Sequence, residues 1–340
     1  MKQNSKRGLV IATNRGFYSE AYWVVIYEAE DELVKTIENA ELYKRKDVKI
    51  AGKPIFRFIG QKVGFDIDSL CLGNRQTFYY DMSPSLRGNK GRNKPNNSVC
   101  MIDYFLSEDE LKRFYDVYSN VAHLFVSSRE VYDFLQEHNP PRKVEHLPLT
   151  LPDKYAITKD TRFSKQYDLV LPGRQNQLLI DWLHQYEKTH EITYVFRGKH
   201  DTKRGQFPYY TNKGDFVGWV NTRDQYIDLL QKSRVAFYST PGIDCDERQG
   251  TNSFHQVTPR FLEEIASGCN VLACYIDNSD TRFFELDKMA HRVTSYEDFE
   301  RALEQAIEEP PDMAVYASYL EKHYTSVIAR QLEAILKADG

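Results

Sequence analysis

The run Gln256-Val257-Thr258-Pro259-Arg260-Phe261-Leu262-Glu263-Glu264-Ile265-Ala266-Ser267-Gly268 holds the residues whose types and spacing speak most directly of chemistry. Thr258 suits an N-cap, Pro259 is pre-set for a first helical turn, and Gly268 suits a left-handed C′ position, so the spacing predicts a helix from Pro259 to about Ser267. A helix start presents backbone N–H groups and a positive partial charge, and both suit the oxygens of a diphosphate. Glu263 falls one turn further in. A carboxylate there can accept hydrogen bonds from both hydroxyls of a ribose whose phosphates sit at the helix start. The plain alternative is an amphipathic helix whose glutamates face water.

Other reactive groups fall where strands end. Gly173-Arg174-Gln175-Asn176 follows the apolar run YDLVL, and the glycine admits a close backbone approach while Arg174 can neutralise a leaving diphosphate. Arg197-Gly198-Lys199 follows EITYVF in the same manner, and His255 and Gln256 precede the helix as candidate contacts to sugar or phosphate. In the first half, Asp103 ends the buried-strand pattern SVCMI and could take the proton of an attacking hydroxyl; a capping or salt-bridged aspartate is the alternative. Asn14, Arg15 and Gly16 follow the first strand and are candidates for an acceptor side, with Asp81 and His123 as lesser ones. Two Asp-x-Asp pairs, Asp66/Asp68 and Asp244/Asp246, spell a short metal-binding signature that arises often by chance, and no metal is expected.

These positions need a scaffold of alternating strands and helices. GLVIAT reads as a strand, 22–42 as an amphipathic helix, IFRFI, TFYYDM, SVCMIDYF and VAHLFVSS as strands, with a capping box at Ser107/Glu110 and a helix at REVYDFLQEH. After a polar stretch the rhythm restarts: strands YDLVLPG, EITYVFRG, DFVGWV, RVAFYST and CNVLACYI alternate with helices LLIDWLHQY, RDQYIDLLQKS, PRFLEEIASG and YEDFERALEQAIEE. The fold class expected is α/β, two Rossmann-like domains whose parallel sheets face each other across a cleft. Residues 1–152 form the N-terminal domain, 153–166 a linker, 167–309 the C-terminal domain, and 310–340 helices that pack back toward the N-terminal domain.

Bulk properties narrow the classes. At 340 residues the chain suits two cores, and 41% hydrophobic content with no long apolar run excludes a membrane-spanning protein. A net charge of -4 excludes an extended nucleic-acid groove. Cys71, Cys100, Cys245, Cys269 and Cys274 form no C-x-x-C pair and read as reduced, mostly packed thiols. MKQNSKRG runs straight into a strand without a secretory apolar region, so a cytoplasmic location is expected. The basic run at 87–94 (Arg87, Lys90, Arg92, Lys94) is a solvated loop or a contact for phosphate or an anionic lipid head group at the inner face of a membrane.

The segment from Val257 to Gly268 resembles the donor motif of the GT-B glycosyltransferases, most narrowly a bacterial branch with the pattern V-x-P-R-[FY]-[FL]-E-x-x-A-x-G. The resemblance extends from Tyr167 onward, reaches back through VAHLFVSS and SVCMIDYF, and fades before Ser98. It implies a metal-independent hexosyltransferase-like enzyme with a nucleotide-sugar donor, no cofactor, and Glu263 on the ribose. It also implies a glycan or lipid-linked acceptor, as in surface polysaccharide or glycolipid assembly. Many retaining members carry an acid eight positions before that glutamate, where this chain has His255. A sugar-nucleotide epimerase of the same fold and a non-catalytic sugar-nucleotide binding protein are the alternatives.

Overall fold

The computed structural model describes residues 8–15, 21–44, 49–50, 53–54, 71–82, 93–102, 107–202, 204, 206–243 and 254–338. Gly16, Asp103, both Asp-x-Asp pairs, the strand expected at IFRFI and residues 87–92 of the basic run lie outside them. The chain divides into two compact units, one of Met1–Asp153 with Thr325–Gly340 and one of Lys154–Tyr324.

The first unit contains β1 (Val10–Thr13), α1 (Ala21–Thr36), β2 (Glu41–Lys44) and a short antiparallel pair, β3 (Lys49–Ile50) and β4 (Lys53–Pro54). Next come β5 (Thr77–Met82), β6 (Asn97–Ile102), α2 (Leu111–Val117), β7 (His123–Val126), α3 (Arg129–Glu137) and β8 (Glu145–His146). Six strands form one sheet in the order β2-β1-β5-β6-β7-β8, and every pairing is parallel. All residues of β6 and β7 are buried, which is why those segments read as unbroken apolar runs rather than alternating ones. Helix α1 stops six residues short of the expected end. Asn39 takes a left-handed backbone (φ 59°), and Leu42, the expected last residue of the helix, instead pairs with Ile11 from β2.

The second unit contains β9 (Tyr167–Leu171), α4 (Gln177–Tyr186), β10 (Tyr194–Arg197), β11 (Pro208–Thr211), β12 (Phe216–Trp219), α5 (Arg223–Gln231) and β13 (Ser233–Ser239). It continues with α6 (Pro259–Ala266), β14 (Asn270–Cys274), α7 (Ser279–Phe283), α8 (Leu286–Met289), β15 (His291–Arg292), α9 (Tyr296–Glu308) and α10 (Met313–Leu320). The sheet order is β12-β11-β10-β9-β13-β14-β15. Its pairings are parallel except at one edge, where β11 pairs antiparallel with both β10 and β12. The β11 segment PYYT went unread in the sequence because its aromatic residues sit in a polar, lysine-rich stretch. Along β9 the side chains alternate: Leu169 and Leu171 pack with α4 and α9, while Val170 packs with Ile227 and Leu230 of α5. Both faces of the sheet are thereby covered.

The stretch expected as a linker is laid on this unit. Tyr155 joins the apolar cluster beneath α5, and Lys165 Nζ donates to the carbonyls of Ser233 (2.7 Å) and Ser267 (2.9 Å). A last helix, α11 (Thr325–Ala338), belongs to the first unit. Its Ile328, Ala329, Leu332 and Leu336 enter one core with Ile26 and Leu33 of α1 and with Ile37 just past its end.

Candidate functional site

The site begins with how α6 is started. Thr258 has the extended backbone of an N-cap and Pro259 is the first helical residue, but the Thr258 hydroxyl makes no capping bond. The residues leading into the helix are instead held from outside it. The Thr258 N–H donates to the Tyr238 hydroxyl (2.9 Å), and the Val257 N–H donates to Asp280 Oδ2. Asp280 is fully buried and itself sits in the first turn of α7, so a carboxylate and a phenol hold the approach to the helix in place. Thr258, Pro259 and Arg260 remain partly exposed. At the other end Gly268 takes φ 63°, the left-handed C′ conformation its position called for.

Arg260 ties three groups together. Its Nη1 donates to the carbonyl of Arg174 (2.9 Å), its Nε lies 3.5 Å from Glu264 Oε1, and its guanidinium sits 5.3 Å from the Tyr238 ring. The helix start and the turn after β9 thereby meet. In that turn Gly173 has φ 69°, a backbone that side chains rarely adopt, and the Arg174 side chain is exposed. Asn176 then caps α4, its Oδ1 accepting from Leu178 N (3.0 Å) and Leu179 N (3.4 Å). One strand over, Arg197 is exposed and lies 4.4 Å from the Phe207 ring, with Gly198 next to it. The Tyr209 hydroxyl links the two strand ends, since it receives a hydrogen bond from the Gly173 backbone and feels the Arg197 charge. Gly173, Arg174, Arg197, Gly198 and the α6 start thus line the carboxyl edge of β13, β9 and β10, where open α/β sheets bind ligands.

Both glutamates of α6 face inward, which rules out the water-facing alternative. Glu263 is 2% exposed and its Oε1 accepts from Arg223 Nη2, an ion pair between α6 and α5. Glu264 is fully buried; burial holds its carboxyl well above the usual carboxylate range, with Arg260 opposing the shift and Glu263 adding to it. His255, Gln256 and Val257 are buried behind the helix start rather than displayed at it. His255 Nδ1 lies 3.4 Å from Thr240 Oγ1, and its carbonyl accepts from Asn278 Nδ2 (3.4 Å).

In the first unit the expected acceptor-side residues are engaged differently. Asn14 is buried. Arg15 folds back on α1: its guanidinium donates to the carbonyl of Tyr27, lies 2.8 Å from Asp31 and 3.7 Å from Glu30, and stacks 5.3 Å from the Tyr27 ring. Beneath it Glu30 is buried, and burial pushes its carboxyl up to about 7 despite the Thr13 hydrogen bond and the Arg15 charge. Asp81 accepts from the Tyr118 hydroxyl (2.9 Å), and His123 lies 3.7 Å from Glu145, so each lesser candidate has a polar partner within the first unit. Arg223, Tyr238, Asp280 and Glu30 were not visible as site residues in the sequence, because each meets its partner across distant segments. Among the described residues no helix is long and apolar enough to cross a membrane.

No family model matches the chain and no curated protein matches it in sequence. Solved structures match it in fold. A glycosyltransferase from Rickettsia africae ESF-5 aligns over 98% of this chain and 99% of its own, with a TM-score of 0.63 at 11% identity. A UDP-GlcNAc 2-epimerase from Methanocaldococcus jannaschii aligns over 97% of this chain and 99% of its own, with a TM-score of 0.52 at 10% identity. The chain spans only 64% of the length of the pneumococcal O-GlcNAc transferase GtfA, which matches 86% of this chain at 13% identity and a TM-score of 0.49. At such identities the likeness defines the fold. It is the α/β fold of two parallel-sheet domains that GT-B glycosyltransferases share with sugar-nucleotide epimerases.

Proposed function

We propose that this chain is a glycosyltransferase that moves a sugar from a nucleoside diphosphate sugar to an acceptor hydroxyl. The observation that carries the reading is the Arg260–Arg174 joint. It gathers an exposed cation, a glycine turn and a helix amino end at one point on the carboxyl edge of the second sheet. Breaking the anomeric C–O bond leaves charge on the departing nucleoside diphosphate. Arg174, Arg260 and the helix dipole stabilise that charge, which in this reading makes a metal unnecessary. Glu263 holds the ribose, Arg197 and Gly198 extend the donor site, and His255, Gln256 and Val257 support its floor.

The acceptor hydroxyl must lose a proton as it attacks. Asp103, the next residue in sequence after β6, is the candidate base for an inverting reaction, and Asn14 and Gly16 complete the acceptor side. Arg15 is dropped from that group, since α1 already holds it. A hexose donor, a glycan or lipid-linked acceptor, and work in surface polysaccharide or glycolipid assembly complete the proposal. In that setting the chain acts in the cytoplasm or at the inner membrane face, with the basic run 87–94 meeting anionic head groups.

An epimerase is the second reading, favoured by the fold shared with the Methanocaldococcus enzyme. Thermal-shift measurements with UDP-, GDP-, dTDP- and CMP-sugars, followed by product analysis of each hit, separate the two. Release of nucleotide that depends on added acceptor is the expected result. An epimerised or hydrolysed sugar without acceptor would support the second reading, and no stabilisation by any of the four would reject both.

A further inference from the structure

The carboxylate proposed for the ribose has a partner on a neighbouring helix. Arg223 is the first residue of α5 and follows Thr222, whose hydroxyl accepts from Gln225 N (3.2 Å) while Gln225 Oε1 accepts from Thr222 N (3.1 Å). That capping box fixes the point at which the arginine leaves the helix. Because α5 leads into the amino end of β13, its own first turn lies toward the carboxyl edge of the sheet. The Arg223 guanidinium reaches Glu263 Oε1 and packs 5.2 Å from the Tyr226 ring and 5.8 Å from the Tyr155 ring. The pair is nearly dry, with side chains 11% and 3% exposed. Glu264 cannot take its place, since it is fully buried against Arg260.

A carboxylate offers about four acceptor positions, and a guanidinium on one oxygen removes part of that set while fixing the direction of the rest. The aromatic faces on Arg223 and the low exposure of the pair keep water from competing for it. We infer that Arg223 is a positioning residue for sugar selectivity within the nucleotide: it holds Glu263 in one orientation, so that the remaining acceptor positions address both ribose hydroxyls together. The inference rests on the reading of Glu263 as the ribose contact. A site built around hydroxyl donors discriminates against a nucleotide that lacks them, because its buried acceptor is then left unmatched.

The test is calorimetric titration of the full chain with UDP, GDP and ADP and with their 2′,3′-dideoxy counterparts, on wild type, Arg223→Met and Arg223→Lys, with Tm measured for each. Wild type should favour the ribonucleotide by about tenfold to a hundredfold, the worth of one or two charge-assisted hydrogen bonds. Arg223→Met should bring the ratio below about threefold by weakening the ribonucleotide alone, and Arg223→Lys should fall between. Tm falls in Arg223→Met whatever the role of the arginine, but a purely structural arginine would weaken both nucleotides in proportion, so an unchanged ratio in Arg223→Met overturns the inference. If Arg223→Met does not fold, an unchanged ratio in Arg223→Lys does the same. A wild type that binds a diphosphate nucleotide but ignores its ribose hydroxyls would overturn the Glu263 reading and this one with it. Absence of any nucleotide binding would instead reject the donor site.

Discussion

Two arginines follow the first strands of the two sheets, and the molecule uses them in opposite ways. Arg15, after β1, is wrapped onto the next helix by the Tyr27 carbonyl, Glu30 and Asp31. Arg174, after β9, keeps an exposed side chain while its carbonyl is gripped by Arg260. The difference lies in the helices that come next. Acids at Glu30 and Asp31 of α1 lie within reach of the cation, whereas α4 opens with Gln177-Leu178-Leu179 and has no acid in its first turn. A basic residue at a strand end is drawn onto the following helix where that helix supplies carboxylates, and keeps an exposed side chain where its first turn has none.

The largest effect expected from breaking this contrast comes from the partner of Glu263. Arg223→Met leaves a buried carboxylate without its cation and should destabilise the second unit by roughly 3–5 kcal/mol in urea denaturation. Arg15→Met should cost about 1 kcal/mol, since Asp31 is mostly exposed and Glu30 can take a proton instead. Equal losses would undo the comparison.

Glu30 supplies a pH signature. Its folded-state value near 7 lies above the ordinary 4.5, so the folded state keeps a proton that the unfolded chain has released. The stability this group contributes is fully present below about pH 4.5 and is lost as pH rises through about 7. Glu30→Gln, which mimics the protonated acid, should therefore stabilise the protein by up to roughly 3 kcal/mol at pH 8 and leave it unchanged at pH 4. Thermal melts across that range read the difference.

Nucleotide affinity sharpens the comparison further. Arg174→Ala and Arg260→Ala should each weaken binding of a nucleoside diphosphate by about tenfold to a hundredfold, while Arg15→Ala leaves it unaltered. A matched loss at Arg15 would show that the first strand end also serves the ligand. The smallest change expected is at helix caps. Ser128→Ala in the first unit and Thr222→Ala in the second should each cost about 1 kcal/mol, because each side chain accepts one backbone N–H.

What could be read from the sequence follows from how local each signal is. Strands β6, β7, β9, β13 and β14 were legible because strands buried on both faces become continuous apolar runs. Helix α6 was legible from Pro259 and Gly268, which act on their own backbones. The end of α1 was misread because Ile37 and Ala40 continue the helical spacing past Thr36, while Asn39 with its left-handed backbone marks the break. At the site, strand-end glycines and arginines could be found by position. The pairs Arg223–Glu263, Val257–Asp280 and Thr258–Tyr238 could not, since they join residues 40, 23 and 20 positions apart and depend on packing that no local pattern records.

The return of α11 to the first unit has a consequence for how the protein is made. Thr325 N donates to the Leu151 carbonyl (2.9 Å), its hydroxyl lies 2.8 Å from that of Thr150, and Ser326 N donates to Asp153 Oδ1 (2.9 Å). The unit begun first therefore lacks one wall of its core until residues beyond 325 have been synthesised, whereas the unit from Lys154 to Tyr324 is contiguous and can close before them. The core that Ile26, Leu33 and Ile37 share with Ile328 and Leu332 can thus be completed only after the second unit has been synthesised, which sets it against the usual amino-to-carboxyl order of domain closure.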